Sequence, residues 1–418
     1  MVNRRRFLVG LTASLAGAVA VAGSTGRLRA KPTPPVAATS AAQPATTTTT
    51  IRTTTTSSTT STTSTRVARR TPAPQPAAPK RPMPGPEPFP AGNYPPRTTV
   101  TLTGARTAQY RPNGVSNRIF DLRGAVWHNA PVGLEYPIVI DDAGSNTPNG
   151  RNTILKGATI NGNLERTRYR GDNYDAYHSG IEHNCDSATG WIIGDRIRVD
   201  NMMDGYRFKG QGDGYLKRCW FSNISDDALE LEEIRGSVFV YDCLWECVTA
   251  FSDRDGAVAP LPTSRLEVDG LLCWIKPQKD RVRSSGEFEG CSGSGANGGC
   301  RELADSGRFS FAIWKGGAAS RPTIVVRNSW FRIDRMSCYG TSSMAWPGAG
   351  LTWGRGSPSY SYKNVKLLWT GLDLAGNPTR APYPGPPLPP GVQLVSGRQA
   401  LEMWESAAAA WKADHGYR

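Results

Sequence analysis

A short sequence pattern recurs at nearly constant spacing in the middle of the chain. Its copies begin at Ser179, Asp204, Asp227 and Thr249, so that successive starts lie 25, 23 and 22 residues apart. The five successive residues of each copy are polar, small, apolar, variable and, in most copies, apolar. A unit of this length without helical periodicity cannot bury its apolar side chains alone, but stacked copies share one continuous core. The repeat therefore predicts a solenoid of stacked coils.

A second set of apolar segments lies upstream of three of these copies, at Ile197 to Asn201, Cys219 to Asn223 and Cys243 to Glu246. Each repeat thus supplies at least two short strands joined by turns. Asn201 and Asn223 fall at equivalent turn positions, where Asn tolerates a left-handed backbone and can bond its neighbour in the next coil. Leucine-rich repeats share this period but need a Leu lattice that the sequence lacks. The pattern predicts an all-β fold, a parallel β-solenoid.

With these strands, the segment from Ile138 to Trp369 resembles the right-handed parallel β-helix, or pectin-lyase-like, superfamily. That resemblance favours a carbohydrate ligand without naming a reaction. Hydrolases of this fold that resemble polygalacturonases carry an Asp pair on neighbouring coils, a Gly-His-Gly and an Arg-Ile-Lys motif. The Asp226-Asp227 pair matches, no Gly-His-Gly occurs, and Arg196-Ile197-Arg198 departs from the third motif and precedes the pair. Signatures of pectate lyases and alginate epimerases are absent.

The positive charge of the chain is concentrated at its start. Residues 1–97 carry 13 Lys and Arg against one acid, Glu87, whereas the remaining residues carry 36 against 34. The net charge of +14 therefore gives no reason to expect a nucleic-acid partner.

The first residues have the layout of an export signal. Arg4-Arg5-Arg6-Phe7-Leu8 resembles the twin-arginine signature, with Asn3 and Val9 departing from it, and an apolar run follows to Ala22. An ordinary secretory signal is the alternative. Either predicts an exported protein, extracellular or associated with the cell envelope, and the first predicts the twin-arginine export machinery as a partner.

Composition divides the chain into four parts. We expect a signal peptide over residues 1–30, a disordered Thr- and Pro-rich linker or stalk over 31–97, the β-helix over 98–395 and a C-terminal helix over 396–418. Ser396-Gly-Arg-Gln399 reads as a capping box, with Leu401, Trp404 and Ala408 on one helix face. Such a helix either covers an open end of the solenoid or docks elsewhere on it. The folded part is expected to be a monomer.

Eight cysteines in an exported chain permit disulfides. Cys291 and Cys300 bracket a Gly- and Ser-rich span and are the predicted pair. Cys219, Cys243 and Cys273 each precede an apolar pair of the repeated strand, so stacking predicts either one bridge or a ladder of buried thiols. The alignment turns His183 inward, as a core histidine.

Alternation along the strands places two files of polar residues on one solenoid face. They predict a shallow strip on which an extended sugar chain lies; the alternative is a solvated ion ladder between coils. We take Glu182, Glu232 and Arg254 as substrate-binding residues. The first file is Glu182, Arg207, Glu230 and Ser252, and the second is Asn184, Lys209, Glu232 and Arg254.

Acidic residues cluster where the strip begins. Stacking brings Asp204 within roughly 5 Å of Asp227, close enough for the carboxylates to couple or for Asp226 and Asp227 to hold calcium. The alternative is that the Asp pair only shapes a turn. The predicted catalytic residues are Asp204, Asp227, Glu230, Arg207 and Lys209.

Two kinds of chemistry suit this cluster. A hydrolase would use one carboxyl group as acid and another to activate water. A lyase would neutralise a uronate with calcium or arginine and use Lys209, Arg207 or Arg254 as base. A non-catalytic envelope or adhesion protein, with the β-helix displayed on a stalk, is the competing class.

Overall fold

A computed structural model describes the chain in segments. The predicted signal peptide, most of the linker, Arg254 and the Cys291/Cys300 pair lie outside them. The described residues are 80–89, 98–112, 115–128, 136–141, 152–164, 179–185, 190–232, 235–253, 264–276, 310–314, 323–334, 351–352, 359–372, 382–383, 385 and 387–417.

All strand pairings are parallel, and the chain winds through three faces in turn, as the repeat predicts. Face 1 holds the first halves of β1 (Thr98–Arg106) and β2 (Arg118–His128), then β4 (Thr153–Lys156), β7 (Trp191–Asp195), β10 (Asp213–Lys217), β12 (Val238–Tyr241), β14 (Arg265–Asp269), β17 (Thr323–Arg327) and β20 (Tyr360–Lys363). Face 2 holds the second halves of β1 and β2, then β5 (Thr159–Asn161), β8 (Arg198–Asp200), the starts of β11 (Trp220–Glu232) and β13 (Leu244–Asp253), β15 (Leu272–Ile275), β18 (Trp330–Ile333), β21 (Val365–Trp369) and β22 (Val392–Ser396). Face 3 holds β3 (Ile138–Ile140), β6 (Ile181–Cys185), β9 (Tyr206–Gly210), the ends of β11 and β13, β16 (Ser310–Trp314) and β19 (Leu351–Thr352).

The register of face 3 confirms the alignment of the repeats. Ile181 pairs with Tyr206, Tyr206 with Leu229, and Leu229 with Phe251. All four side chains are fully buried and each contributes about 1.5–3 kcal/mol of apolar burial. At the turns, Asn201 and Asn223 adopt positive φ, of 57° and 55°. The Asn223 amide donates to Asp200 Oδ1 of the preceding coil at 2.8 Å.

The segment that begins at Val100 forms an additional coil. β1 pairs with β2 along both of their halves, and Tyr110 bridges Ile138 on face 3. The first coil is therefore built like the later ones.

The helix α1 (Gly397–Asp414) packs on the outside of face 2 and does not cover an end of the solenoid. Ser396 precedes it in an extended conformation, but its side chain makes no capping hydrogen bond, so the predicted capping box is wrong. Within the described residues, no helix is long and apolar enough to cross a membrane. The buried positions of α1 are Ala400, Met403, Trp404, Ala407 and Trp411, against Leu244, Leu272, Trp330 and Leu368.

Residues 80–89, within the predicted linker, pack along face 1 as a strap. Phe89 lies 5.3 Å from the Tyr215 ring and 5.8 Å from the Tyr241 ring, measured between centroids. The Tyr241 hydroxyl donates to the Gly85 carbonyl at 2.6 Å. Glu87 pairs with Lys217 and Arg218 of the same face. Part of the predicted linker therefore packs on the β-solenoid.

Four cysteines whose side chains are described are free, buried thiols. Cys219 stacks on Cys243, but the predicted third member is wrong, because Cys273 aligns with Trp245, two residues further along. Cys273 instead lies 3.8 Å from Cys247, between the sulfur atoms. Diagonal neighbours on adjacent strands have Cα atoms roughly 7–8 Å apart, too far for a disulfide without backbone movement. In this part of the chain the buried thiols therefore form two separate pairs, Cys219 with Cys243 and Cys247 with Cys273, and not the predicted ladder of three.

Candidate functional site

Three carboxylates meet where face 3 begins, in two neighbouring coils. Asp204 precedes β9, whereas Asp226 and Asp227 lie within β11. Each offers a carboxylate oxygen within 4.8 Å of the others, as stacking predicts. The three residues, which we call the carboxylate cluster, are only 3%, 4% and 2% exposed. Both Asp204 and Asp227 occupy the first position of the sequence repeat, so the same position in successive coils builds the site.

Hydrogen bonds from neighbouring coils support the cluster. The Ser179 hydroxyl donates to Asp204 Oδ2 at 2.7 Å, and the backbone amide of Asp227 donates to Asp204 Oδ1 at 3.2 Å. Ser252, near the end of β13, donates its hydroxyl to Asp227 Oδ2. These bonds fix both carboxylates on the rigid coil.

Asp204 differs from an ordinary aspartate in its affinity for a proton. Burial raises its pKa to about 7, and the negative charges of Glu230 and Asp226 act in the same direction. The hydrogen bond from Ser179 and the charge of Arg207 oppose this rise without cancelling it. Near neutral pH the side chain is thus partly protonated, which is the state that a general acid needs.

Arg207 lies beside the cluster and joins three coils. Its Nε donates to Glu230 Oε2 at 2.6 Å, while its terminal nitrogens lie 3.7 Å from Glu182 Oε2 and 3.9 Å from Asp204 Oδ2. The predicted register of the first file holds, since Glu182, Arg207, Glu230 and Ser252 are in line. The predicted exposure does not hold, because the side chains of Arg207 and Glu230 are each 6% exposed. The ion ladder is present but buried.

The second file is only partly within the described residues. Asn184 pairs with Lys209 in register, and Lys209 pairs with Glu232. Asn184 is buried and Lys209 is half-buried. The Glu232 side chain and all of Arg254 lie outside the described part. The structure thus brings Lys209 to the same face as the cluster, two residues beyond Arg207 on β9.

Tyr136 belongs to the site although the sequence gives no sign of it. It precedes β3, outside the four aligned repeats, and the guanidinium carbon of Arg207 lies 5.0 Å from the centre of its ring. Burial is the main cause that raises the pKa of its phenol, and the charges of Glu182, Asp204 and Glu230 raise it further. No local pattern of residue types could have placed this ring beside a repeat that begins 43 positions later.

The structure confirms the prediction that His183 is a core histidine. It is fully buried, and its Nδ1 lies 2.6 Å from the Tyr206 hydroxyl. Burial lowers its pKa to about 3, so the imidazole is neutral at physiological pH.

The carboxylate cluster supplies oxygen ligands of the type that calcium prefers. Three carboxylates are fewer than the six to eight oxygens that the ion takes, and Arg207 brings a positive charge within 3.9 Å of Asp204. The fit is therefore partial, and the calcium site stays a prediction.

Asp204 makes stability depend on pH in a distinctive direction. Because its folded pKa of about 7 exceeds its usual 3.8, its contribution is fully present below pH 3.8 and is lost as pH rises towards 7. We expect Asp204→Asn to be more stable than the wild type at pH 8, and the difference to shrink towards pH 4. One pKa unit corresponds to about 1.4 kcal/mol, so the change amounts to several kcal/mol at most.

Denaturant unfolding of both proteins between pH 4 and pH 8 measures this difference. His183 acts with the opposite sign, since its lowered pKa removes stability as pH falls through 6.5. Subtracting the wild-type curve from the variant curve cancels that contribution. A difference that stays constant with pH contradicts the raised pKa.

Comparisons of the chain with protein-family models, with curated proteins and with solved structures find no match.

Proposed function

We propose that this protein is an exported glycoside hydrolase that cleaves a polysaccharide at the carboxylate cluster. The observation that supports this most is the pairing of Asp204, whose pKa is about 7, with two further carboxylates within 4.8 Å. Neighbouring carboxyl groups with different proton affinities are the usual apparatus of glycosidic-bond hydrolysis.

In the proposed reaction, Asp204 is the general acid and protonates the glycosidic oxygen as the bond to the leaving sugar breaks. Asp227 is the nucleophile, because carboxylates within 4.8 Å leave no room for a water between them. It bonds to the sugar carbon as the leaving sugar departs, and a water that gives its proton to Asp204 then displaces Asp227 from that carbon. Ser252 donates a hydrogen bond to Asp227 Oδ2 and so orients that carboxylate. Glu230 holds Arg207 in place, and Arg207 limits the rise in the pKa of Asp204.

A hydrolase suits these contacts better than a lyase. Elimination needs a base that abstracts the proton next to a uronate, and Arg207, one of the predicted bases, is held by Glu230 at 2.6 Å. Lys209 is the remaining described candidate, and it lies two residues beyond Arg207 along β9.

The wider proposal follows the sequence. The leader that resembles a twin-arginine signal directs the chain across a membrane, and the Thr- and Pro-rich stalk separates the β-helix from the cell envelope. The partners are the twin-arginine machinery and an envelope or extracellular glycan, with no nucleic acid, and the protein works as a monomer. Membership of the pectin-lyase-like superfamily is part of the same proposal.

Incubating the purified full-length chain with a panel of neutral and acidic polysaccharides tests the proposal. Reducing ends and ultraviolet absorbance are followed together, with and without a calcium chelator. We expect new reducing ends without absorbance, because hydrolysis forms no double bond. Rising absorbance would instead identify a lyase, and loss of activity with the chelator would identify calcium as a cofactor.

A non-catalytic envelope or adhesion protein is the second candidate. It is favoured by the burial of the Arg207–Glu230 pair, which also suits a purely structural ion ladder. If the panel gives no new reducing ends and no rise in absorbance, this second function is favoured.

A further inference from the structure

The hydroxyl of Tyr136 has no hydrogen-bond partner among the described residues, although the side chain is buried. Tyr136 is 5% exposed, and its Oη atom is inaccessible to solvent. A buried hydroxyl without a partner destabilises the folded protein. Such an atom is unusual in native proteins and calls for a reason to keep it.

The position of Tyr136 supplies a reason. Its ring lies under the guanidinium of Arg207, at 5.0 Å, and Arg207 contacts Glu230 and Glu182 and lies 3.9 Å from Asp204. The charges of Asp204, Glu182 and Glu230 all act on the phenol. The hydroxyl thus lies within reach of the same charges that surround the proposed reaction centre.

The chemistry of the hydroxyl limits what can bind to it. Burial raises the pKa of the phenol, so the group keeps its proton throughout the working pH range. A neutral phenol both donates and accepts one hydrogen bond. A sugar hydroxyl can both accept from the phenol and donate to it, whereas a sugar carboxylate can only accept.

We propose that Tyr136 is a substrate-binding residue. Side chains that cover its Oη atom shift when a sugar binds at the carboxylate cluster, and the hydroxyl then forms a hydrogen bond with a hydroxyl group of that sugar. This inference rests on the proposed function, and it adds that the sugar presents a free, uncharged hydroxyl to this side of the site. The unpartnered oxygen is then kept at a cost in stability because the ligand completes it.

Tyr136→Phe removes only the hydroxyl and therefore tests the proposal in the full chain. In the absence of glycan, we expect its denaturation midpoint to equal or exceed that of the wild type. With the glycan that the panel identifies, we expect KM to rise about tenfold, as for the loss of one hydrogen bond worth about 1.4 kcal/mol, with kcat changed much less.

Tyr383→Phe is the matched control. The Tyr383 hydroxyl is also buried without a hydrogen-bond partner among the described residues, but its ring packs on Trp369 at 5.8 Å, on β21. Its removal should likewise preserve stability, yet leave KM unchanged. A tenfold effect in both variants would overturn a specific role for Tyr136.

Two further results would overturn the inference. A lower denaturation midpoint for Tyr136→Phe would mean that the hydroxyl is already bonded within the protein, and an unchanged KM would mean that it does not meet the sugar. If a glycan binds without being hydrolysed, the proposed function fails. The binding role of Tyr136 is then tested by the dissociation constants of wild type and Tyr136→Phe, measured by calorimetry. If the wild type neither cleaves nor binds any glycan of the panel, both proposals fail.

Discussion

Asparagine in place of Asp227 is expected to lower kcat on the susceptible glycan by a factor of at least about 10⁴, because the nucleophile of the proposed reaction is lost. The amide cannot form the bond to the sugar that the carboxylate forms. It can still accept the hydrogen bond from Ser252, and its volume is almost that of the carboxylate. The coil should therefore stay folded while the chemistry is lost.

Initial rates of reducing-end release, measured beside the denaturation midpoint, separate the two effects. Asp213→Asn is the matched control, because Asp213 is a partly buried carboxylate on face 1 that accepts a backbone bond from Ser237 at 2.7 Å. Its replacement should leave kcat unchanged. If Asp227→Asn is folded and retains both glycan binding and full turnover, Asp227 has no catalytic role.

The repeat made the fold predictable because a solenoid converts sequence spacing directly into position. Asp204 and Asp227 are 23 residues apart. Residues that are one repeat apart in the sequence lie on neighbouring strands of the sheet. Stacking alone was enough to bring them together. The inward positions of Tyr206 and Leu229 followed from the same alternation.

The alternation of inward and outward side chains along a strand could not show which groups cover an outward side chain. Arg207 and Glu230 point away from the core, but they are buried because the guanidinium joins Glu182, Asp204 and Glu230 across three coils. Periodicity describes the coil and is silent about the chain segments that pack on its outside. Tyr136 was missed for this reason.

Small changes in repeat length also limit how accurately the sequence predicts the register of the strands. Between Leu244 and Leu272 the repeat is longer than the preceding ones, and aligning Cys273 by its apolar neighbours places it two residues from its real register. Helix α1 shows a comparable offset, since Leu401 and Ala408 are only half-buried while Met403, Ala407 and Trp411 carry the contact.

Removal of the Asp242 carboxylate is expected to cause the largest loss of stability, about 3–5 kcal/mol, as for other broken buried ion pairs. Asp242 joins three parts of the chain. It accepts hydrogen bonds from Arg81 of the strap and from Trp411 of helix α1, both at 3.0 Å, and lies 3.0 Å from His415 Nε2. The Arg81 and Asp242 side chains are only 7% and 9% exposed, so Asp242→Ala leaves a buried guanidinium with half of its ion pairs.

Asp414→Ala is the matched control, because Asp414 contacts the same guanidinium at 2.8 Å but is 54% exposed. A surface pair of this kind contributes about 0–1 kcal/mol. Burial raises the pKa of Asp242, but the hydrogen bond from His415 and the charge of Arg81 outweigh it and keep the pKa below the usual value. The ion pair therefore persists at any pH above 4, and unfolding is best compared at neutral pH.

Limited trypsin digestion shows where the stability is lost. In Asp242→Ala we expect faster cleavage after Lys80, since the strap loses its buried ion pair with the solenoid, while Asp414→Ala should be cut at nearly the wild-type rate. Equal stability and equal cleavage in the two variants would mean that Phe89 and Glu87 hold the strap without Asp242. In that case the hydrophobic contact with Tyr215 and Tyr241, and not the buried ion pair, joins the strap to the solenoid.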